Sequence, residues 1–282
     1  MTETIGILHP GEMGISVAAS ALNSGCTVCW VSEGRSQLTR QRAGKYQLAD
    51  AGSLEALCQI CSIIISVCPP HAAEALAGQV IAAGFQGVYL DANAIAPERA
   101  RQIAVRMSAA GISFVDGGII GGPAWQPAST WLYLAGEQAG RVVECFAAGP
   151  LEIGLLGQHV GQASALKMCY AAYSKGSTAL LCAVLGAAEE LGVRADLEGQ
   201  WAREDAGFPA QAAQRARRVT AKAWRFAGEM EEIAATFQQA GLPGGFHQAA
   251  AELYRRLAGF KDRAAPPELS EVLAALRAEG NG

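Results

Sequence analysis

Charge is scarce in this chain. Asp, Glu, Lys and Arg make up 17% of its 282 residues, against 51% hydrophobic, which argues against a disordered chain and suits one or two well-filled domains. A basic excess is missing as well. The net charge of -4 offers no electrostatic footprint for nucleic acid or for an anionic membrane surface. Any anionic ligand must then be held by local groups. Nothing resembling a signal peptide precedes the first expected strand, which starts within five residues of Met1. The longest apolar stretch, residues 161–192, is interrupted by Lys167, Ser174, Lys175 and Ser177, which argues against a membrane span. No internal repeat or low-complexity tract is visible. These absences lead us to expect a cytoplasmic protein of enzyme size.

Cysteine is not scarce, but it is poorly placed for a metal. The eight cysteines include two C-x-x-C pairs, Cys26/Cys29 and Cys58/Cys61. The first pair flanks the start of an expected strand, where side chains three apart face opposite ways. The second ends a short helix, and neither lies on the tight glycine-containing knuckle that holds a structural zinc. Buried thiols and no metal site are expected.

Residues 5–8 form a short apolar run, followed by His9, Pro10, Gly11, Glu12, Met13 and Gly14 and then an amphipathic helix to about residue 24. Strand, glycine turn and helix are the setting in which G-x-G-x-x-G holds a dinucleotide pyrophosphate at a helix N-terminus. His9 stands at the first glycine position, so the match is incomplete. Residues 27–31 read as a second strand, and the residues after it lie where a Rossmann-type fold meets the adenosine ribose. Glu33 there suits the two ribose hydroxyls of NAD. Ser32, Arg35 and Ser36, with Arg40 and Arg42, form a donor-rich cup suited to the 2′-phosphate of NADP, which we favour.

The strand–helix alternation continues, indicating a mainly parallel sheet. Strands at 62–67, 87–91 and 112–115 end in turns carrying Cys68 and Pro69, then Asn93, then the glycine cluster 117–122, which is expected to be a loop offering N–H groups to an anion. Strands at 130–135 and 151–156 flank a helix at 137–147. From 161 onward only helical periodicity remains, broken near Gly192, Pro209, Gly244 and Pro266. The expected architecture is an α/β Rossmann-type N-terminal domain, residues 1–160, followed by an all-α C-terminal domain, residues 161–282, joined by a long interdomain helix. On that helix Lys167, Ala171, Ser174 and Lys175 share one side. The reading is a polar stripe on an otherwise buried rod, presenting a lysine that can exchange protons.

With these pieces in order the chain resembles the β-hydroxyacid dehydrogenase superfamily, which includes 6-phosphogluconate dehydrogenase and the imine reductases. Residues 11–14 fall on that family's glycine turn, 91–97 on its D-x-S-T-x-x-P segment, 116–122 on its substrate-binding glycine loop, and Gly161 with Lys167 on its G-x-x-x-x-x-K segment. The resemblance implies hydride transfer between a nicotinamide, NADP rather than NAD, and a small β-hydroxy acid or carbonyl compound, with Lys167 as general acid and base. It implies that Asn93, in place of the family's serine, orients substrate or cofactor, and that Gly121 and Gly122 hold an anionic end of the substrate. Ala171 and Ile120 depart from the family's asparagine and serine, so Tyr170, Ser174 or Lys175 would supply the missing contact. Trp224, Arg225, Glu229, Glu232 and His247 are further candidates for the same cleft, and His247 is more simply a cap or surface residue. A homodimer through the helical domain is also implied. The alternatives are an imine reductase or reductive aminase, and a catalytically silent NADP(H) sensor or scaffold.

Overall fold

A computed structural model describes residues 3–277. Eight strands form one sheet: β1 (Thr4–Ile7), β2 (Thr27–Trp30), β3 (Ala49–Asp50), β4 (Ile63–Ser66), β5 (Val88–Asp91), β6 (Ser113–Gly121), β7 (Thr130–Ala135) and β8 (Leu151–Gly157). Their order is β3-β2-β1-β4-β5-β6-β7-β8, and only the β6–β7 pair is antiparallel. The chain returns past β1 to start β4, so the order reverses there, the place where open α/β sheets take ligands. Helices α1 (Glu12–Asn23), α2 (Gln37–Lys45), α3 (Leu54–Ile60), α4 (Ala73–Ala82), α5 (Pro97–Ala109) and α6 (Ala139–Glu144) make the crossovers.

Burial on both faces explains the unbroken apolar strands. Ile63 and Ile65 of β4 join one core cluster, with Val88 and Leu90 of β5, while Ile64 and Tyr89 join the other. Alternation at period two thus feeds two cores from one strand. Cys26 and Cys29 divide between those clusters in the same way. Among the described residues all eight cysteines are free thiols; Cys68 is half-buried and Cys169 exposed, which departs from the expectation that all are buried.

The helical part comprises α7 (Gln162–Glu190), α8 (Arg194–Glu204), α9 (Phe208–Gln239), α10 (Gly245–Arg256) and α11 (Leu269–Arg277). The chain divides into two compact units between Met168 and Cys169, inside α7. In the second unit α10 packs along α9, with Phe226 meeting Tyr254 edge to face at 5.6 Å. Among the described residues no helix is long and apolar enough to cross a membrane.

Three expectations are corrected. The glycine cluster is no loop: residues 117–121 continue β6 and pair with β7 as far as Gly121 with Thr130. The helix expected at 137–147 shrinks to Ala139–Glu144. And α7 is not an otherwise buried rod, because Tyr170, Tyr173 and Leu180 are 53%, 81% and 51% exposed.

Candidate active site

The glycine turn joins β1 to α1. A Cβ on Gly14 would fall 2.0 Å from the His9 carbonyl oxygen, so helix and strand close only over glycine. Gly11 differs. A Cβ there meets nothing within 4 Å, and the α1 N-terminus it begins has no side-chain cap, leaving uncovered N–H groups at a positive helix end. Pro10 is buried, Met13 half-buried and Glu12 exposed.

His9 and Arg35 converge on this turn. His9 Nδ1 and Arg35 Nε are buried with no hydrogen-bond partner. Burial, then the charge of Arg35, lowers the His9 pKa to about 4, and burial also lowers that of Arg35. Two buried nitrogens without acceptors fit an anion that brings its own oxygens. Beside them opens a cavity of about 380 Å³ lined by Leu8, Val31, Glu33, Arg35, Leu76 and Gln79, of a size and place to take an adenosine.

The expected donor cup is partly rebuilt by the structure. Ser36 caps α2 by accepting from Thr39 N at 3.3 Å, and Arg40 Nε donates to the Arg35 carbonyl at 3.3 Å. Arg42 leaves the group and lines another cavity with Glu12, Tyr46 and Trp125. Asp50, which sequence reasoning missed, joins it: Oδ1 accepts from Ser32 N at 3.2 Å and Gly52 N at 2.9 Å. Its signal was weak, a single acid in a two-residue strand.

Asn93 is 2% exposed. Its Oδ1 accepts from Cys68 N at 2.6 Å and its Nδ2 donates to Ser66 Oγ at 3.0 Å, so the amide ties the end of β5 to the end of β4. Asn93, expected to orient substrate or cofactor, thus has its amide engaged with both strand ends. Pro69, next in that turn, is exposed. Asp91 lies beneath with one oxygen accepting from Asn93 N at 3.0 Å and the other unpartnered; burial pushes its pKa up to about 7.

Lys167 sits on the second turn of α7, half-buried, with Nζ donating to the Ile119 carbonyl at 2.5 Å. The glycines of β6 make this approach possible. A Cβ on Gly118 would fall 2.5 Å from the Ala163 carbonyl oxygen and 3.1 Å from Lys167 Cβ, and one on Gly117 would strike Leu90 and the Asp91 carbonyl. Asp116, 1% exposed, gathers the start of α7: Oδ2 accepts from the N–H groups of Gly161, Ala163 and Ser164 at 2.8, 2.9 and 3.1 Å, and Oδ1 from Ser164 Oγ at 2.5 Å. Sequence reasoning did not give Asp116 or Ser164 a role, although an acid and a serine near a helix start are the residue types that cap.

The expected anion loop is replaced by strand geometry. Gly121, at φ +124°, is paired to Thr130, and the Gly122 carbonyl accepts from Thr130 Oγ1 at 2.8 Å. Ile120 is half-buried.

In the second unit Lys175 ion-pairs with Glu229, its Nζ also lying 4.6 Å from the centre of the Phe226 ring. Side-chain exposures of 14% and 10% mark a largely desolvated pair. Lys175, expected to be catalytic or substrate-binding, is engaged by that carboxylate. Ser174 accepts through its carbonyl from Arg215 Nη2 at 3.0 Å, and Ala171 is 1% exposed. Trp224 lies under Lys261 at 4.4 Å. His247 is neither cap nor surface residue: it is 5% exposed and meets Phe237 edge to face at 4.3 Å.

Comparisons with known proteins bear on the family and the fold. The family described as the NAD binding domain of 6-phosphogluconate dehydrogenase matches residues 4–145, and a domain of unknown function, DUF1932, matches residues 188–257. No curated protein matches the chain. A conserved protein of unknown function, reported as structurally similar to 3-hydroxyacid dehydrogenases, is 27% identical with a TM-score of 0.67, over 91% of this chain and 97% of that one. The 3-hydroxyisobutyrate dehydrogenase of Mycobacterium tuberculosis shares the fold at 19% identity and a TM-score of 0.71, over 99% of this chain and all of the other. A reductive aminase from Aspergillus terreus does so at 20% identity and 0.57, over 98% and 100%.

Proposed function

This chain belongs to the family of the 6-phosphogluconate dehydrogenase NAD-binding domain, and on that footing we propose that it is an NADP-dependent oxidoreductase. It moves hydride between nicotinamide and a small β-hydroxy acid or the matching carbonyl compound. The observation that carries this reading is Lys167, held at the glycine-bearing strand β6 in the same unit as the dinucleotide turn.

The residues present fit the cofactor. The uncovered α1 N-terminus and the open side of Gly11 suit a pyrophosphate, and His9 Nδ1 and Arg35 Nε await acceptors. Arg35 is the group that favours a 2′-phosphate over a bare ribose, since a guanidinium binds phosphate by paired donors. When bound, the nicotinamide accepts or supplies the hydride. Lys167 handles the proton. As the amine it takes the proton of the substrate hydroxyl during oxidation, and as the ammonium it returns a proton to the carbonyl oxygen during reduction, a role worth about 10²–10⁴-fold in rate. Asn93 acts from below, fixing the β4 and β5 ends that floor the site.

Reduction of an imine is the second reading, favoured by Ala171, whose buried methyl adds no polar group one turn beyond Lys167. A panel of hydroxy acids, carbonyl compounds and cyclic imines assayed with NADP and NADPH, and with NADH as control, separates the two. Turnover of a hydroxy acid or its carbonyl partner with NADPH supports the proposal; turnover confined to imines, or faster with NADH, contradicts its substrate or its cofactor.

We also read the protein as a homodimer acting on a small molecule. Tyr170, Tyr173 and Leu180 recur at helical spacing as an exposed apolar stripe on α7, which a second copy would cover. Light scattering on a size-exclusion column tests this; a monomer at micromolar concentration contradicts it.

A further inference from the structure

We propose that Asp116 is a positioning residue for Lys167, clamping the first turn of α7 onto β6 with Ser164 as its second point of attachment. The inference rests on the reading of Lys167 as the proton carrier.

Four donors converge on one buried carboxylate. Three are backbone N–H groups at the start of α7, which have no acceptor inside the helix and would otherwise be orphaned in a buried place. The fourth is the Ser164 hydroxyl. Their number and chemistry mean that Asp116 serves as a pure acceptor, and its negative charge sits at the positive end of a long helix. Lys167 follows Ser164 by three residues, so the clamped side chain and the lysine lie one above the other on the same helix face.

Two more contacts set the depth and rotation of that face. Gly118 brings the Ala163 carbonyl and Lys167 Cβ to a separation that a methyl group would forbid, and the Ile119 carbonyl takes the lysine nitrogen. Asp116, Gly118 and Ile119 therefore tie β6 to Gly161 just before α7 and to residues 163, 164 and 167 within it, from a span of four strand residues. A helix held by packing alone can roll or slide slightly. A displacement of about 1 Å at a reacting group costs on the order of 10²-fold in rate, which is the error this clamp removes.

The test uses Asp116→Asn, Ser164→Ala and Ser164→Thr in the full chain. Asp116→Asn should lower kcat about 100-fold with the NADPH dissociation constant nearly unchanged, because a misplaced proton carrier affects the chemical step. Ser164→Ala should lower kcat by a smaller factor, Ser164→Thr should restore it, and the Asp116 and Ser164 losses should be non-additive. A general loss of packing would not move the next readout. A loosened clamp weakens the contact of Lys167 Nζ with the Ile119 carbonyl, which favours the ammonium, so the Lys167 limb of the pH–rate profile should shift to lower pH. Wild-type kcat with an unshifted profile in Asp116→Asn overturns the proposal. If the wild-type protein turns over nothing in the panel, the oxidoreductase reading fails by itself. The clamp is then judged by competitive acetylation of Lys167 across pH, read by mass spectrometry. A lower titration midpoint in Asp116→Asn supports it and an unchanged midpoint refutes it. Should Asp116→Asn fail to fold, the same two measurements on Ser164→Ala decide.

Discussion

His9 makes the most quantitative prediction. Its ring is largely buried beside Arg35, and its pKa falls to about 4 from its ordinary 6.5, first through burial and then through the guanidinium charge. The folded-state pKa is thus depressed. Above pH 6.5 the imidazole is neutral in both states and adds no pH dependence. As pH falls from 6.5 toward 4 the unfolded chain binds a proton that the folded one refuses, so stability is lost across that window. Each bound proton changes the unfolding free energy by about 1.4 kcal/mol per pH unit. Across the window from 6.5 to about 4 this corresponds to about 3 kcal/mol, and to about 2 kcal/mol after allowing for the exposed part of the ring. Urea unfolding of wild-type and His9→Asn protein at pH 7, 6, 5 and 4 measures it. The wild type should lose about 2 kcal/mol more than the variant between pH 7 and 4, and NADPH, whose phosphates favour the protonated ring, should shrink the gap. Parallel curves for the two proteins would refute the description of His9 as a largely buried imidazole whose Nδ1 lacks a partner.

Other perturbations reach other parts of the molecule. Glu229→Gln takes the ion-paired carboxylate away from the largely buried Lys175, which should cost about 3 kcal/mol in urea unfolding; replacing both, Lys175→Met with Glu229→Leu, should recover most of that, and a cost below about 1 kcal/mol for the single change would show the pair to be solvated. Gly14→Ala forces a Cβ into the His9 carbonyl and should abolish soluble folded protein or NADPH binding, whereas Gly11→Ala should fold normally by circular dichroism and lose only NADPH affinity by fluorescence titration. Equal effects of the two glycine changes on folding would contradict the division of roles.

How far the sequence led depended on whether a signal was local. The strands at 63–66 and 88–91 were legible because burial on both faces leaves no polar position, and the turn at 9–14 because only glycine lets α1 close on β1. The long helix and the helical remainder followed from periodicity. The stretch 117–121 misled because glycine is depleted in strands; its glycines are there for the contacts of β6 with the end of β5 and with α7, a requirement that only the third dimension reveals. Asn93 was found as a polar residue at a strand end, but its partners Ser66 and Cys68 lie more than twenty residues away in sequence. Lys175 stood out as a lysine in an apolar helix and Glu229 as a candidate ion-pair partner for a lysine, but that these two meet, fifty-four residues apart, is visible only in the fold. The structure also supplied what was not sought. Asp116 looked like the first residue of a loop and proved to be the anchor of α7.

The account depends most on what Lys167 does, and Lys167→Ala measures it directly. Stopped-flow assays with NADPH and the best substrate of the panel, alongside fluorescence titration of NADPH, should show binding within about threefold of wild type and a rate lowered by about 10²–10⁴. A variant that binds NADPH and turns over as fast as the parent would contradict the assignment and leave the chain a nucleotide-binding protein whose lysine is structural.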